Sequence, residues 1–260
     1  MTIPDFSIFA VIGFDYPVVA VKFSAVEPAD LPRLNKRLAF CEMLKEAQDA
    51  GGFYATMDEH SCKVGPYVLG QIPHDPVAES GRIGPMLGVY ESADANRRLY
   101  SDMLRFPVGS ATYTLFSRLD DLRFEPDLIV ITATPSQAEI VTRAHSYSTG
   151  TGWETRGTTV AGCACLYAYP HLTGKLNMLV SGLHHGMKAR NLFPQGLLLI
   201  SIPSPLLPMI VDNLRTMAAK NQIDLPQYHW GKDAHEKHMR ELVQRLTEEM
   251  VDEATSLTAT

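Results

Sequence analysis

The sequence contains no long hydrophobic run and no cluster of basic residues. No stretch approaches the roughly 18 uninterrupted apolar residues of a membrane span. The first 17 residues include Asp5 and Asp15 and lack a basic region, so we expect no secretory leader. The net charge is -6, which argues against nucleic acid as a partner. These features predict a cytoplasmic protein with neither a membrane nor a nucleic-acid partner.

Cysteine is also scarce, with four residues in 260, at Cys41, Cys62, Cys163 and Cys165. Four cysteines are too few for a disulfide scaffold, and in a reducing compartment they serve as free thiols or metal ligands. A Walker loop, GxGxxG, GxSxG and HExxH are all missing, so the enzyme classes that they mark lack their usual evidence. Any chemistry therefore has to be sought among the thiols and histidines.

The composition that is present, 45% hydrophobic and 20% charged, is typical of a folded protein. Apolar runs that predict strands alternate with segments of helical periodicity. The fold predicted is therefore α/β, with a mixed or parallel sheet and flanking helices in one compact domain over residues 1–260. Strands are predicted at 17–23, 53–57, 111–119, 126–133, 152–162 and 196–203, and helices at 41–52, 92–103, 136–150 and 203–219.

The chain also shows weak similarity between two halves, about 17–120 and 126–220. CEMLKEA at 41–47 aligns with AEIVTRA at 138–144, and Cys62 then falls close to Cys163. We interpret this as an internal duplication in which Cys62 and Cys163 occupy corresponding places. Such an arrangement predicts a site between the halves that draws residues from both.

An amphipathic helix is predicted at about 233–253, beyond the second half. Its apolar stripe runs from Met239 to Met250. An apolar stripe is normally covered, so we expect it to be buried against the body of the protein or against a second copy. A homodimer is therefore a possible assembly.

The segment EHSC brings Glu59, His60 and Cys62 within four residues. This trio could act catalytically, with Cys62 as nucleophile, His60 as base and Glu59 orienting the base. It could equally supply metal ligands, although the spacing matches no standard zinc motif. The alternative is structural: Cys62 packs beneath the next turn while the other two side chains are solvated.

The other cysteines could join Cys62 in a metal site. Cys163 and Cys165 are two residues apart, so in an extended segment they point to opposite faces and only Cys163 can reach Cys62. Cys41 begins a helix, where the backbone amides would lower its thiol pKa. The predicted metal ligands are thus Cys41, Cys62 and Cys163, with Cys165 in the core. Simple packing of all four is the alternative.

A glycine-bounded loop, SGLHHGMKARN, presents adjacent imidazoles at His184 and His185. Lys188 and Arg190 follow and could receive an anion. His184, His185 and Lys188 are therefore predicted to contact a ligand or cofactor. A loop with incidental surface histidines is the alternative.

Several of these segments occur in the order of a known family. They include PVVAVKF, CEMLKEAQDAGG, EHSCKVGPYVLG, PDLIVITATPSQAEIVTRAHSYSTG and CACLYAYPHLTGKLN. The chain resembles domain-of-unknown-function family number 169, the uncharacterised ArCR family, over most of residues 17–215. The resemblance implies no general function. It does imply that Cys41, Cys62 and either Cys163 or Cys165 fall on characteristic family positions.

One departure from the family concerns a further cysteine in a Cys-x-Gly-x-Arg context. This chain reads NMLVSGLHHGMKAR at that point, without cysteine. The comparison implies that His184 or His185 replaces a ligand, or that the centre is lost.

Three functions remain open from the sequence. The first is a cysteine-ligated zinc ion or iron–sulfur cluster held by Cys41, Cys62 and Cys163 between the halves. The second is non-catalytic binding of a small ligand or partner, with packed cysteines. The third is thiol catalysis at Cys62.

Overall fold

The computed structural model describes residues 5–258. One six-stranded sheet forms its centre, with strand order β2-β3-β1-β4-β6-β5. The strands are β1 (Val19–Ser24), β2 (Phe53–Ala55), β3 (Tyr113–Arg118), β4 (Leu128–Ala133), β5 (Asn177–Val180) and β6 (Leu198–Pro203). The α/β class predicted from the sequence is confirmed.

Helices occupy the connections and the end of the chain. They are α1 (Ile8–Ile12), α2 (Phe40–Ala50), α3 (Val64–Val68), α4 (Pro76–Glu79), α5 (Ile83–Met86), α6 (Ala93–Asp102), α7 (Pro135–Ser146), α8 (Tyr169–Thr173), α9 (His185–Ala189), α10 (Leu207–Ala219) and α11 (Gly231–Thr258). Over the described part of the chain, no helix combines the length and the apolar character that crossing a bilayer requires.

The strand pairings correct one prediction. All five pairings between the described strands are antiparallel, so the expectation of a mixed or parallel sheet was wrong. The apolar run of β4 had suggested parallel pairing, and every residue of that strand is indeed buried. Such a run reports burial on both faces of a strand, which parallel sheets usually have but antiparallel sheets can share.

The two halves of the sheet have the same strand order. From the central pair outward, the first half reads β1, β3, β2 and the second reads β4, β6, β5. The central pair itself is short, joining Val19–Val21 to Leu128–Val130. The internal duplication stays a prediction, with which this order is compatible.

The proposed correspondence of Cys62 and Cys163 was wrong. Cys62 follows β2, whereas Cys163 precedes β5, the strand that holds the place of β2 in the other half. A short 3-10 turn follows each of these two strands, at Met57–Glu59 and Ser181–Leu183. The residues that come directly after these turns are His60 and His184. By topology, the histidines correspond and the cysteines do not.

The secondary structure also differs from the sequence prediction in two places. Helix α7 begins at Pro135, one residue earlier than predicted, and is capped by Thr134 together with Gln137. The strand predicted at 152–162 is absent from the described structure, and residues 164–168 form one π-helical turn. Side chains from the sheet stabilise that turn, because Asn177 Nδ2 and Ser201 Oγ donate to the carbonyls of Cys165 and Leu166. Long-range bonds of this kind leave no local pattern in sequence.

The chain divides into two compact units, Met1–Arg215 and Thr216–Thr260. The second unit contains α11, whose bounds include the predicted 233–253. The apolar stripe on this helix is exposed: Met239 at 41%, Val243 at 56%, Leu246 at 47% and Met250 at 70%. The stripe is therefore not covered within its own unit, and its burial against the body of the protein or against a second copy stays a prediction.

Candidate functional site

Helix α2 places Cys41 at its second residue. The helix begins after Ala39, whose backbone N–H donates to Glu42 Oε2 at 2.6 Å. Phe40 anchors this end in the core, since it is 2% exposed and its ring stacks on Tyr167 with centroids 4.3 Å apart. Cys41 is partly buried and packs against the same core.

Backbone pairing brings Cys62 to the beginning of α2. Leu38 N–H donates to the Glu59 carbonyl at 2.8 Å, and Ser61 N–H donates back to the Leu38 carbonyl at 2.9 Å. Arg37 adds a bond from its guanidinium to the His60 carbonyl at 2.8 Å. These three bonds hold residues 59–62 against the segment that leads into α2.

A second pair of segments completes the site from the other half of the chain. His185 N–H donates to the Thr159 carbonyl at 2.8 Å, which joins the start of α9 to the segment before Cys163. Arg190 Nε at the end of α9 lies 3.5 Å from Glu42 Oε2 on α2. Through these contacts, residues 160–163 and 184–190 face the beginning of α2.

These segments enclose a cavity of about 560 Å³. Cys41, Cys62, Cys163, His184 and His185 all line it, so five of the residues predicted from sequence meet at one place. The remaining predicted residues, Glu59, His60 and Lys188, lie outside its lining. Cys165 also lies outside and instead lines a smaller cavity of about 200 Å³.

Burial makes the thiols of Cys41 and Cys163 weaker acids, because it raises the pKa of each. It raises the pKa of Cys41 to about 11, although the Arg190 guanidinium lowers it. Burial also raises the pKa of Cys163 well above its usual value, and the neighbouring charges of Cys62 and Cys41 raise it further. The expectation that the helix terminus would lower the pKa of Cys41 was wrong, because desolvation of the thiolate dominates.

We expect this desolvation to make Cys41 slow to alkylate in the metal-free protein. Iodoacetamide reacts with the thiolate, and below a pKa of about 11 the thiolate fraction rises tenfold with each pH unit. The rate at Cys41, followed by mass spectrometry of its peptide, should therefore still be rising between pH 8 and pH 10. N-acetylcysteine is the control, since its rate levels off near its ordinary pKa. A plateau for Cys41 near pH 9 would contradict the prediction.

The geometry of Glu59 and His60 does not favour the catalytic trio. The Glu59 carboxylate accepts hydrogen bonds from Arg33 Nε at 2.9 Å and from Thr56 N and Oγ1 at 2.8 and 2.9 Å. His60 is 3% exposed, and neither of its ring nitrogens has a hydrogen-bond partner. Glu59 therefore stabilises the turn rather than orienting the imidazole, and the trio stays a prediction.

His60 and Cys62 do share a second cavity, of about 660 Å³. Lys63 and Asp75 line it too, and both also line the cavity of about 560 Å³ that contains Cys41, Cys62 and Cys163, called the thiol cavity below. Asp75 accepts bonds from the backbone N–H groups of Val77 and Ala78, so its carboxylate caps α4. This cavity adds no further thiol to the site.

The thiols do not form a ready-made ion site. Among residues 5–258, no group of three or more Cys, His, Asp or Glu side chains is arranged to hold a metal ion. His184 is 3% exposed and its Nδ1 has no partner, because the ring lies against Gly162. The donor atoms that a thiol-bound centre needs are thus present around one cavity, without the close geometry of a loaded site.

Sequence reasoning missed one wall of the cavity. It is formed by Asn96 and Tyr100 on α6 together with Ile83 and Leu87. Burial raises the pKa of Tyr100 to about 12, so its phenol is neutral under ordinary conditions. Asn96 is 1% exposed and its Nδ2 donates to the Gly81 carbonyl, which holds α6 in place. In the sequence, Asn96 is one polar residue among many in the helix predicted at 92–103, so nothing there indicated that it forms part of the cavity wall.

The profile of domain-of-unknown-function family number 169, described as uncharacterised ArCR, matches residues 8–213. The chain belongs to the ArCR family. This confirms the resemblance noted from the sequence motifs, and the matched region includes every residue of the thiol cavity.

A curated relative is an uncharacterized protein of Methanocaldococcus jannaschii, 31% identical over 143 residues. The match covers 52% of this chain and 60% of that protein. No solved structure matches the chain. The ArCR family name and this relative assign no activity, so function has to be argued from the cavity.

Proposed function

We propose that this ArCR protein binds an iron–sulfur cluster through the thiolates of Cys41, Cys62 and Cys163. The observation that carries the proposal is the lining of the cavity. Three of only four cysteines line the same cavity, although Cys163 comes more than 100 residues after Cys41 and Cys62 in the chain. Packing alone gives no reason for one buried and two partly buried thiols to line one cavity, whereas cysteine thiolates are the usual ligands of such clusters.

The size of the cavity favours a cluster over a lone zinc ion. A structural zinc ion needs four ligand atoms about 2.0–2.3 Å from one point, and no such group is preformed in the described residues. In a cluster each thiolate binds a different iron, so the sulfurs can stand further apart. The remaining ligand position would fall to His184 or His185, or to a small molecule in the cavity.

The raised thiol pKa values also bear on the proposal. Burial disfavours the charged forms of the Cys41 and Cys163 thiols and so raises their pKa values. A bound cation reverses this preference, and the thiols lose their protons as the metal binds. Uptake of the cluster should therefore release protons.

Anaerobic reconstitution with Fe²⁺ and sulfide tests the proposal. The wild-type protein should retain iron and sulfide after desalting and show a charge-transfer absorption band in the visible region. Cys41→Ser, Cys62→Ser and Cys163→Ser should each lower retained iron at least about tenfold, because each removes a cluster ligand.

Cys165→Ser is the matched control, since Cys165 is buried but does not line the cavity. Its iron content should equal that of the wild type. A wild-type protein that retains no iron, or a Cys62→Ser variant that retains as much as the control, would contradict the proposal. Tight binding of zinc without retained iron would contradict the cluster and indicate a zinc ion at the same three thiols instead.

A second candidate function is the binding of a small organic anion, and the chemistry of the lining favours it. Phe40, Val64 and Ile83 supply apolar surface, while Lys63 and Arg190 bring positive charge to the same cavity. An apolar cavity with a few placed polar groups is typical of small-molecule sites. If this function holds instead, serine at all three cysteine positions should leave ligand-induced thermal stabilisation intact.

A further inference from the structure

The exposed stripe on α11 has the spacing of a coiled-coil seam. Its residues Met239, Val243, Leu246 and Met250 are separated by four, three and four positions. This is the d-a-d-a pattern of two heptads, in which apolar side chains of two helices interlock. All four are exposed, so the seam has no partner within its own unit.

The charges along α11 are unevenly distributed. Residues 231–245 contain four Lys or Arg, three Asp or Glu and two His, whereas residues 246–258 contain four acidic residues and no basic one. The acidic end is the carboxyl end of the helix, where the helix dipole already disfavours negative charge. Pairs at i,i+4 such as Lys237–Glu241 and Arg240–Glu236 involve the acidic residues of the first part. In the second part, Glu249 lies 4.0 Å from Arg245, which belongs to the first part.

These two observations identify a partner. We propose that α11 pairs with α11 of a second copy of this chain, in antiparallel orientation, along the stripe Met239–Met250. In a parallel pair in register, the four acidic residues of one helix would lie against the same four acidic residues of the other helix. An antiparallel pair sets the acidic end of each helix beside the segment that contains the basic residues and histidines of the other.

The proposed seam is only two heptads long, so the association should be weak and dependent on concentration. Sedimentation of the full chain from about 1 to 300 µM tests this. The wild type should shift from monomer to dimer over that range. Val243→Glu and Leu246→Glu should each weaken dimerisation at least about 30-fold, because they place a charge at the centre of the seam.

Gln244→Glu is the matched control. It adds the same charge one residue from the stripe and should leave dimerisation within about threefold of the wild type. All substituted positions are on the exposed helix surface, so the circular dichroism spectra should be unchanged. A wild-type monomer at every concentration, or a dimer that persists unchanged in both stripe variants, would overturn the proposal.

Orientation is tested separately by disulfide cross-linking with peptide mapping. Chains with Met239→Cys and chains with Met250→Cys are mixed and mildly oxidised. The antiparallel pair predicts 239–250 cross-links between unlike chains, since these positions are opposite each other. Cross-links of 239 to 239 would instead indicate a parallel pair and overturn the proposed orientation. Peptide mapping separates both products from bonds to the native cysteines.

Discussion

Replacing Phe40 by alanine is expected to lower the free energy of unfolding by about 3–5 kcal/mol, the usual cost of emptying a buried phenylalanine site. Phe40 is 2% exposed and contacts the rings of Tyr167, Phe116 and His60. Those neighbours come from three separate segments and cannot all move inward to fill the space. Urea unfolding followed by fluorescence and circular dichroism measures the change.

Val77→Ala is the control for this experiment. Val77 and Phe40 both line the thiol cavity, but Val77 is 55% exposed. Truncating Val77 should therefore lower the free energy of unfolding by well under about 1 kcal/mol. Equal losses in the two variants would mean that Phe40 is not part of the rigid core. A large loss for Phe40→Ala alone would show that the beginning of α2, and with it Cys41, is held by this ring.

Lowering the pH from 6.5 to 4 is expected to remove about 3 kcal/mol of stability through His60 in the metal-free protein. Burial lowers the pKa of this imidazole from 6.5 to about 4. The unfolded chain therefore takes up a proton near pH 6.5, while the folded chain takes it up only near pH 4. The stability is present above pH 6.5 and is lost as the pH falls through that window.

Urea unfolding at several pH values, compared between the wild type and His60→Gln, isolates this effect. The variant cannot titrate at residue 60, so its stability should fall less between pH 6.5 and 4. His74→Gln serves as control, because the His74 side chain is 77% exposed. A wild-type pH dependence that matches His60→Gln would contradict the burial of a neutral imidazole.

Periodicity and residue type were enough to predict much of the fold. The strands at 126–133 and 196–203 and the helices after residues 40 and 92 are present, because each has an apolar pattern or cap within its own segment. The pairing direction was not predictable from β4, since burial on both faces gives the same run in either kind of sheet. The π turn at residues 164–168 depends on Asn177 and Ser201, which come later in the chain.

The residue types of the site were predictable from the sequence, but the contacts that bring these residues together were not. Cys41, Cys62 and Cys163 do line one cavity, yet Cys62 and Cys163 do not hold the corresponding places in the strand order that their alignment predicted. The pairing of Leu38 with residues 59–61 brings Cys62 to the start of α2, and Arg190 approaches Glu42 from the other half. Those contacts join residues far apart in sequence, and no periodicity reports them.

The order of strands in the sheet also determines when the site can exist. Each half of the sheet is built from one continuous stretch of chain, so β1, β2 and β3 have all their partners before β4 is made, apart from the short β1–β4 contact. Cys41 and Cys62 belong to the first stretch and Cys163 to the second. At about 5–20 residues per second, the ribosome adds the intervening residues in roughly 5–20 s. During that interval the first part of the cavity lining has been made, while Cys163, His184 and Arg190, which complete the lining, have not.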